Sequence, residues 1–167
     1  MVRRETTGTP ATKALARAGV QFSTHVYEHD PRSTSFGLEA AQALDLSPDE
    51  VFKTLMALVD DRPVIAVVPV SGSLDLKALA AAAGGRRAEM ADPAHAARLT
   101  GYVVGGISPI AQKRALPTFV DETAELFDVV YVSGGRRGLD IGLAPDELLR
   151  MTDGRLAPIS RSPGVGR

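Results

Sequence analysis

Two apolar runs, VFKTLMALV (51–59) and VIAVV (64–68), are separated only by DDRP. Side chains alternate faces along a strand, and both faces of the first run are apolar: Val51, Leu55, Ala57 and Val59 on one, Phe52, Met56 and Leu58 on the other. A connection this short pairs the runs as an antiparallel hairpin, and a hairpin apolar on both faces needs cover on both sides. Lys53 interrupts the pattern. An unpaired ammonium in a dry core costs several kcal/mol, roughly, even after relaxation, so Lys53 requires either a partner or an opening.

The rest of the chain supplies elements to cover the hairpin. Thr9-Pro10 and Gly19 bracket a short helix, residues 22–27 alternate as a strand, HDPRSTS reads as a loop, and 36–44 reads as a helix. Ser47 and Glu50 have capping-box spacing before the lysine strand. A helix is predicted over 75–83 with Gly84 as its stop, then a short strand over 87–90, then a helix capped by Asp92-Pro93 and reaching Thr100. GYVVGGISPIAQKRALP is dense in Gly and Pro and reads mainly as loop. PTFVD, DVVYVSGG and GLDIGL read as strands, with polar DETAELFD between the first two; Pro145 opens a last helix and LAPIS ends the pattern as a strand. Several connections are too short for parallel crossovers, so an α+β chain with a mixed, curved sheet is expected. One domain is expected over 9–160, with flexible tails at 1–8 and 161–167.

Composition narrows the chemistry. There is no cysteine, hence no disulfide, thiolate nucleophile or cysteine metal site, and a reducing cytoplasm fits. The N-terminal MVRRETTGTP lacks a signal-peptide core and no stretch is long and apolar enough for a membrane span, so a cytoplasmic protein with no membrane partner is expected. A net charge of −1 offers no global pull on nucleic acid, which leaves Arg86-Arg87, Lys113-Arg114 and Arg136-Arg137 as local phosphate candidates. His25 and His29 lie too far apart along extended chain to share a metal, and His95 lacks ligand neighbours, so no metal is expected. Neither VSGSL nor VSGGR is a nucleophile elbow, and no phosphate-binding or dinucleotide fingerprint is present, so no cofactor is expected.

Asp140 in GLDIGL mirrors Lys53 with opposite sign. A buried ion pair between them is one reading; two charges kept for a site is the other. GGISP (105–109) and SGGRRGLD (133–140) add glycines that let backbone amides approach a ligand, although each also reads as a plain chain reversal.

YEHDP, the Phe36-Gly37 step, VFKTL, LDLKALA, EMADP, TGYVVGGISP and YVSGGRRGLDI, in that order, resemble the YbaK/EbsC family, free-standing relatives of the editing domain inserted in bacterial prolyl-tRNA synthetase, and specifically its Cys-tRNA(Pro) deacylase branch. The resemblance runs from about Thr9 to Ile159. It implies a strongly curved, barrel-like mixed sheet with surrounding short helices, and removal of cysteine wrongly attached to tRNA, with the aminoacyl-tRNA 3′ end and prolyl-tRNA synthetase as partners. It implies catalytic roles for Lys53, Gly105, Gly106 and Ser108, the last three within the G-x-x-x-P loop that Pro109 ends, and substrate contacts from Tyr27, Phe36, Ile107, Pro109, Ser133 and Asp140. Attack by the substrate's own thiol on its ester is the implied mechanism, with water attack as its rival. An Ala-tRNA(Pro) deacylase and a non-catalytic adaptor binding tRNA or the synthetase are the alternative functions.

Overall fold

The computed structural model describes residues 8–162; of the predicted tails at 1–8 and 161–167, residues 1–7 and 163–167 lie outside the described residues. Helix α1 (Pro10–Arg17) starts with a reciprocal capping box between Thr9 and Thr12, and Thr9 Oγ1 donates to the Gly134 carbonyl, which anchors the helix to the strand beneath it. Strand β1 (Ser23–Val26) leads through a loop to α2 (Phe36–Ala43). The apolar pair forms β2 (Phe52–Val59) and β3 (Arg62–Pro69).

Their turn is tighter than DDRP suggests. Asp60 and Asp61 both adopt positive φ, 48° and 70°, the backbone of a two-residue turn whose twist matches the flanking strands, so Arg62 and Pro63 join β3. The Asp60 carboxylate accepts the amides of Arg86 and Arg87 at 3.0 and 3.1 Å, pinning the turn to the following helix connection. Pro63, without an amide, is tolerated because β6 pairs with β3 only at residues 65–67.

Then follow β4 (Ser73–Leu74), α3 (Leu76–Ala82), β5 (Ala88–Met90), α4 (Pro93–Thr100), β6 (Thr118–Asp121), a 3-10 helix over Glu122–Leu126, β7 (Val130–Arg136), β8 (Leu139–Leu143), α5 (Pro145–Thr152), β9 (Arg155–Ala157) and β10 (Ser160–Arg161). LAPIS therefore splits into the end of β9 and the start of β10. Arg161, expected in the tail, pairs with Ser73 and reaches Asp75 at 3.2 Å.

The expected mixture of pairings is present: β5-β2-β3-β6-β9 form one sheet, antiparallel around β2 and parallel at β3–β6 and β6–β9. The expected barrel-like continuity is not. Among the described residues the ladders form three open sheets, the others being β1-β8-β7 and β10-β4, and no closed barrel. The reason lies on the outer edge of β2. There β5 pairs only with residues 57–59, whereas β7 pairs only through a single parallel bridge between Tyr131 and Val51, just ahead of β2. The five- and three-stranded sheets meet at a corner and diverge.

Both faces of the hairpin are covered, as its pattern requires. Phe52, Met56, Ile65 and Val67 enter one core with Leu15 of α1, Ile141 of β8 and Leu148 of α5; Ala57, Val59, Val64, Ala66 and Val68 enter a second with Leu79 of α3, Phe119 and Ile159. No described helix is long and apolar enough to cross a membrane.

Candidate functional site

The divergence of β5 and β7 leaves the edge of β2 between them without a strand partner, and the principal cleft, about 500 Å³, opens over this edge. The backbone of β2 points groups at the gap: the Glu50 carbonyl bonds the Tyr131 amide at one end and the Met56 carbonyl bonds the Ala91 amide at the other, so Phe52 and Thr54 between them direct theirs the same way. Because the cleft wraps an edge, residues of both faces of β2 line it, from Val51 to Met56. Lys53 is therefore half-buried beside an opening and not sealed in a core.

Lys53 Nζ donates to the Gly72 carbonyl at 3.2 Å, and burial pulls its pKa below the ordinary lysine value. Among the described residues it has no carboxylate within ion-pair reach, so the buried Lys53–Asp140 pair considered from the sequence does not form, and Asp140 does not orient Lys53. Asp140 lines the same cleft from β8, 5% exposed, across from Ser133 of β7 and His25 of β1. Without a compensating cation, desolvation pushes its pKa up to about 7. Tyr27 is also driven up to about 12, by burial first and then by the Asp140 charge.

The opposite wall is a clamp. Phe36 opens α2, and Gly105 presses on its ring so closely that a Cβ would lie 2.6 Å from a ring carbon. Gly105 also holds φ +88°, a conformation that costs glycine little. The Arg137 guanidinium sits 4.8 Å from the centre of the same ring while its Nε donates to the Val104 carbonyl at 2.9 Å, tying the β7–β8 hairpin to the glycine loop and to α2. The His29–Glu39 contact, 2.7 Å, braces the loop ahead of Phe36.

Of the residues singled out in the sequence, Tyr27, Phe36, Lys53, Gly105, Ile107, Ser133 and Asp140 line this one cleft. Gly106, Ser108 and Pro109 lie behind it. The Gly106 amide donates to the Val103 carbonyl at 2.8 Å, Ser108 is fully buried with its hydroxyl accepting the Ile110 amide, and Pro109 is buried beside it. The amides of Gly105 and Ile107 have no such internal acceptor among the described residues. Sequence reasoning missed Thr54, Met56, Met90, Ala91 and Ala96, which are among the rest of the lining. Only Thr54 carried a signal, a hydroxyl next to Lys53 in an otherwise apolar strand. His25 and His29 take separate partners, Ser23 and Glu39, and no cluster of metal-ligating side chains occurs among the described residues.

A model of the aminoacyl-tRNA editing domain matches residues 30–151, and a protein of Enterococcus faecalis named "Putative Cys-tRNA(Pro)/Cys-tRNA(Cys) deacylase EbsC" is 40% identical over 121 residues, 72% of this chain and 74% of that protein. A crystal structure of hypothetical protein APE2540 superposes with a TM-score of 0.81 at 26% identity over 92% of this chain and 100% of that one. A structure described as "a putative trans-editing enzyme for prolyl tRNA synthetase" gives 0.78 at 23% identity over 97% of this chain and 99% of that one, a likeness of fold. The editing-domain match runs through the α2 wall, the lysine strand, the glycine loop and Asp140, that is, through most of the lining of the cleft. On that match and on the identity to EbsC, the chain belongs to the aminoacyl-tRNA editing domain family.

Proposed function

We propose that this protein is a trans-editing aminoacyl-tRNA deacylase that removes cysteine wrongly attached to tRNA(Pro), and that it accepts Cys-tRNA(Cys) as well. The observation that carries the reading is a half-buried cation, a buried carboxyl and two amides without internal acceptors, all lining one cleft over an unpaired strand edge. The curated relative named for both of these substrates supports it. Residues 9–160 act as one editing domain.

Lys53 serves as a point charge for the phosphate or ribose of the terminal adenosine, and its bond to a neutral carbonyl is exchanged without breaking an ion pair. Amides of Gly105 and Ile107 hold the ester carbonyl and stabilise the charge that develops on it. Gly106 and Ser108 act by shaping that loop, since the Gly106 amide and the Ser108 hydroxyl and carbonyl are engaged within it. Asp140 accepts the α-ammonium of the aminoacyl group, a cation that offsets the burial of the carboxylate. Tyr27, Phe36 and Ser133 frame the cleft, and Pro109 fixes the exit of the loop.

The protein has no thiol, so the nucleophile is the substrate's sulfur. It attacks the ester carbonyl, the carbon–sulfur bond forms, the bond to the ribose oxygen breaks, and the thiol proton ends on the departing tRNA hydroxyl, leaving a cysteine thiolactone. Proximity in the cleft replaces an enzyme nucleophile. Prolyl-tRNA synthetase is the partner that brings the mischarged tRNA, because a chain of net charge −1 has little electrostatic pull of its own.

The test is a panel of tRNA(Pro) charged with cysteine, serine, alanine or proline, incubated with and without the synthetase. Cysteine should be released much faster than serine, whose hydroxyl is the poorer nucleophile. Equal rates for the two would defeat substrate-thiol chemistry, preferential release of alanine would redirect the reading to water attack on Ala-tRNA(Pro), and no release at all would leave an adaptor.

A further inference from the structure

Thr54 Oγ1 is, among the described residues, the one buried side-chain polar atom without a hydrogen-bond partner. The residue is 8% exposed and lines the cleft beside Lys53. A hydroxyl left unpaired in an apolar setting is destabilising, and valine would fill the same shape without that cost. The hydroxyl sits where it could be used. Thr54 shares its face of β2 with Phe52 and Met56, which belong to the same apolar cluster as Ala96 and Ile107, so this side of the cleft offers a bound group little else that is polar. No hydrogen bond holds the hydroxyl in place, and a turn of about 120° between staggered rotamers carries it to a new position.

We infer that Thr54 is a specificity-determining residue whose hydroxyl reads the polar atom of a small amino-acid side chain, the thiol of cysteine or the hydroxyl of serine, and so disfavours alanine. This rests on the deacylase reading above and deepens it. The assignment follows from the other roles: Asp140 meets the ammonium, the loop amides meet the carbonyl, and Lys53, pointing from the opposite face of β2, meets the nucleotide. The remaining polar atom of a cysteinyl ester is its sulfur. By accepting the S–H, Thr54 fixes the thiol while leaving the sulfur lone pairs for the ester carbon. With alanine bound the hydroxyl stays unpaired, and that penalty is the discrimination.

The test uses Thr54→Val and Thr54→Ser with non-cleavable adenosine analogues carrying cysteine, serine or alanine through a 3′-amide, alongside deacylation of Cys-tRNA(Pro) and Ala-tRNA(Pro). The wild type should bind the cysteine and serine analogues about tenfold more tightly than the alanine analogue. In Thr54→Val that gap should close, with loss of Cys-tRNA(Pro) cleavage expressed mainly in KM, while Thr54→Ser should keep it. The melting temperature of Thr54→Val should be equal or higher, since an unpaired hydroxyl is removed. A Thr54→Val protein that keeps the wild-type preference overturns the inference alone, as does a loss equal for all analogues. A wild type that cleaves no aminoacyl-tRNA overturns the deacylase reading and this inference with it.

Discussion

At the scale of single residues, Lys53 and Asp140 are charges whose surroundings do not stabilise them. Lys53 has a carbonyl for company and Asp140 has no cation, so each is explained by what enters the cleft and not by the fold. Replacing Lys53 with Ala should lower deacylation by at least about 100-fold while the melting temperature holds or rises. Turnover close to wild type would demote the lysine to a structural group. Asp140 makes a prediction in pH. Its folded value, about 7, lies above the ordinary 3.8, so between these values the native state holds a proton that the unfolded chain has lost. Its contribution to stability is therefore fully present below about pH 4 and is lost as pH rises through about 7. Asp140→Asn should gain stability relative to wild type across that window, by a few kcal/mol at most, and hold the gain above it, which denaturant titrations at a series of pH values would measure. Both charges were legible as anomalies in the sequence. That they do not pair was not, because alternation along a strand says which face a side chain takes and nothing about which strand lies opposite.

At the scale of elements, the site depends on three pieces meeting: the free edge of β2, the start of α2 and the glycine loop. Gly105 is the joint, with a left-handed backbone and the Phe36 ring against its Cα. Gly105→Ala should cost about 1–2 kcal/mol in unfolding free energy and should reduce deacylation more than stability alone explains, since Phe36 must shift. A variant with unchanged stability and turnover would show that the clamp is not needed. The hairpin turn offers a control away from the cleft. Asp60→Ala removes the acceptor of two backbone amides and should destabilise by about 1–3 kcal/mol, with kcat for the remaining folded protein unchanged. Local signals served well for these elements. Thr9-Pro10, Asp92-Pro93 and Pro145 mark helix starts where the structure has them, because capping and proline geometry are properties of a few consecutive residues. The DDRP loop was read as four residues because positive φ at two aspartates in a row leaves little trace in sequence.

At the scale of the whole molecule, near-zero net charge and a cleft defined by edge geometry point to weak contact with tRNA at large and close contact with its terminus. Binding of uncharged tRNA should be weak, with a shallow salt dependence, a slope of log affinity against log salt no steeper than about −2. A steep slope would reveal a basic tract that the arginine pairs do not form on this reading. What the sequence by itself determined is the two-sided burial of the hairpin, the α+β mixture, the family resemblance and the two misplaced charges, since all of these are written in short-range pattern or in the order of motifs. What only the tertiary structure decided is where β5 and β7 stop along β2. That spacing opens the sheets where a barrel-like sheet was expected, exposes the edge beside Lys53, sets Gly106, Ser108 and Pro109 behind the lining, and brings in Thr54 and the apolar wall. It is decided by how far strands remote in sequence can pair before their twist carries them apart, a property of the packed sheets and of no single segment.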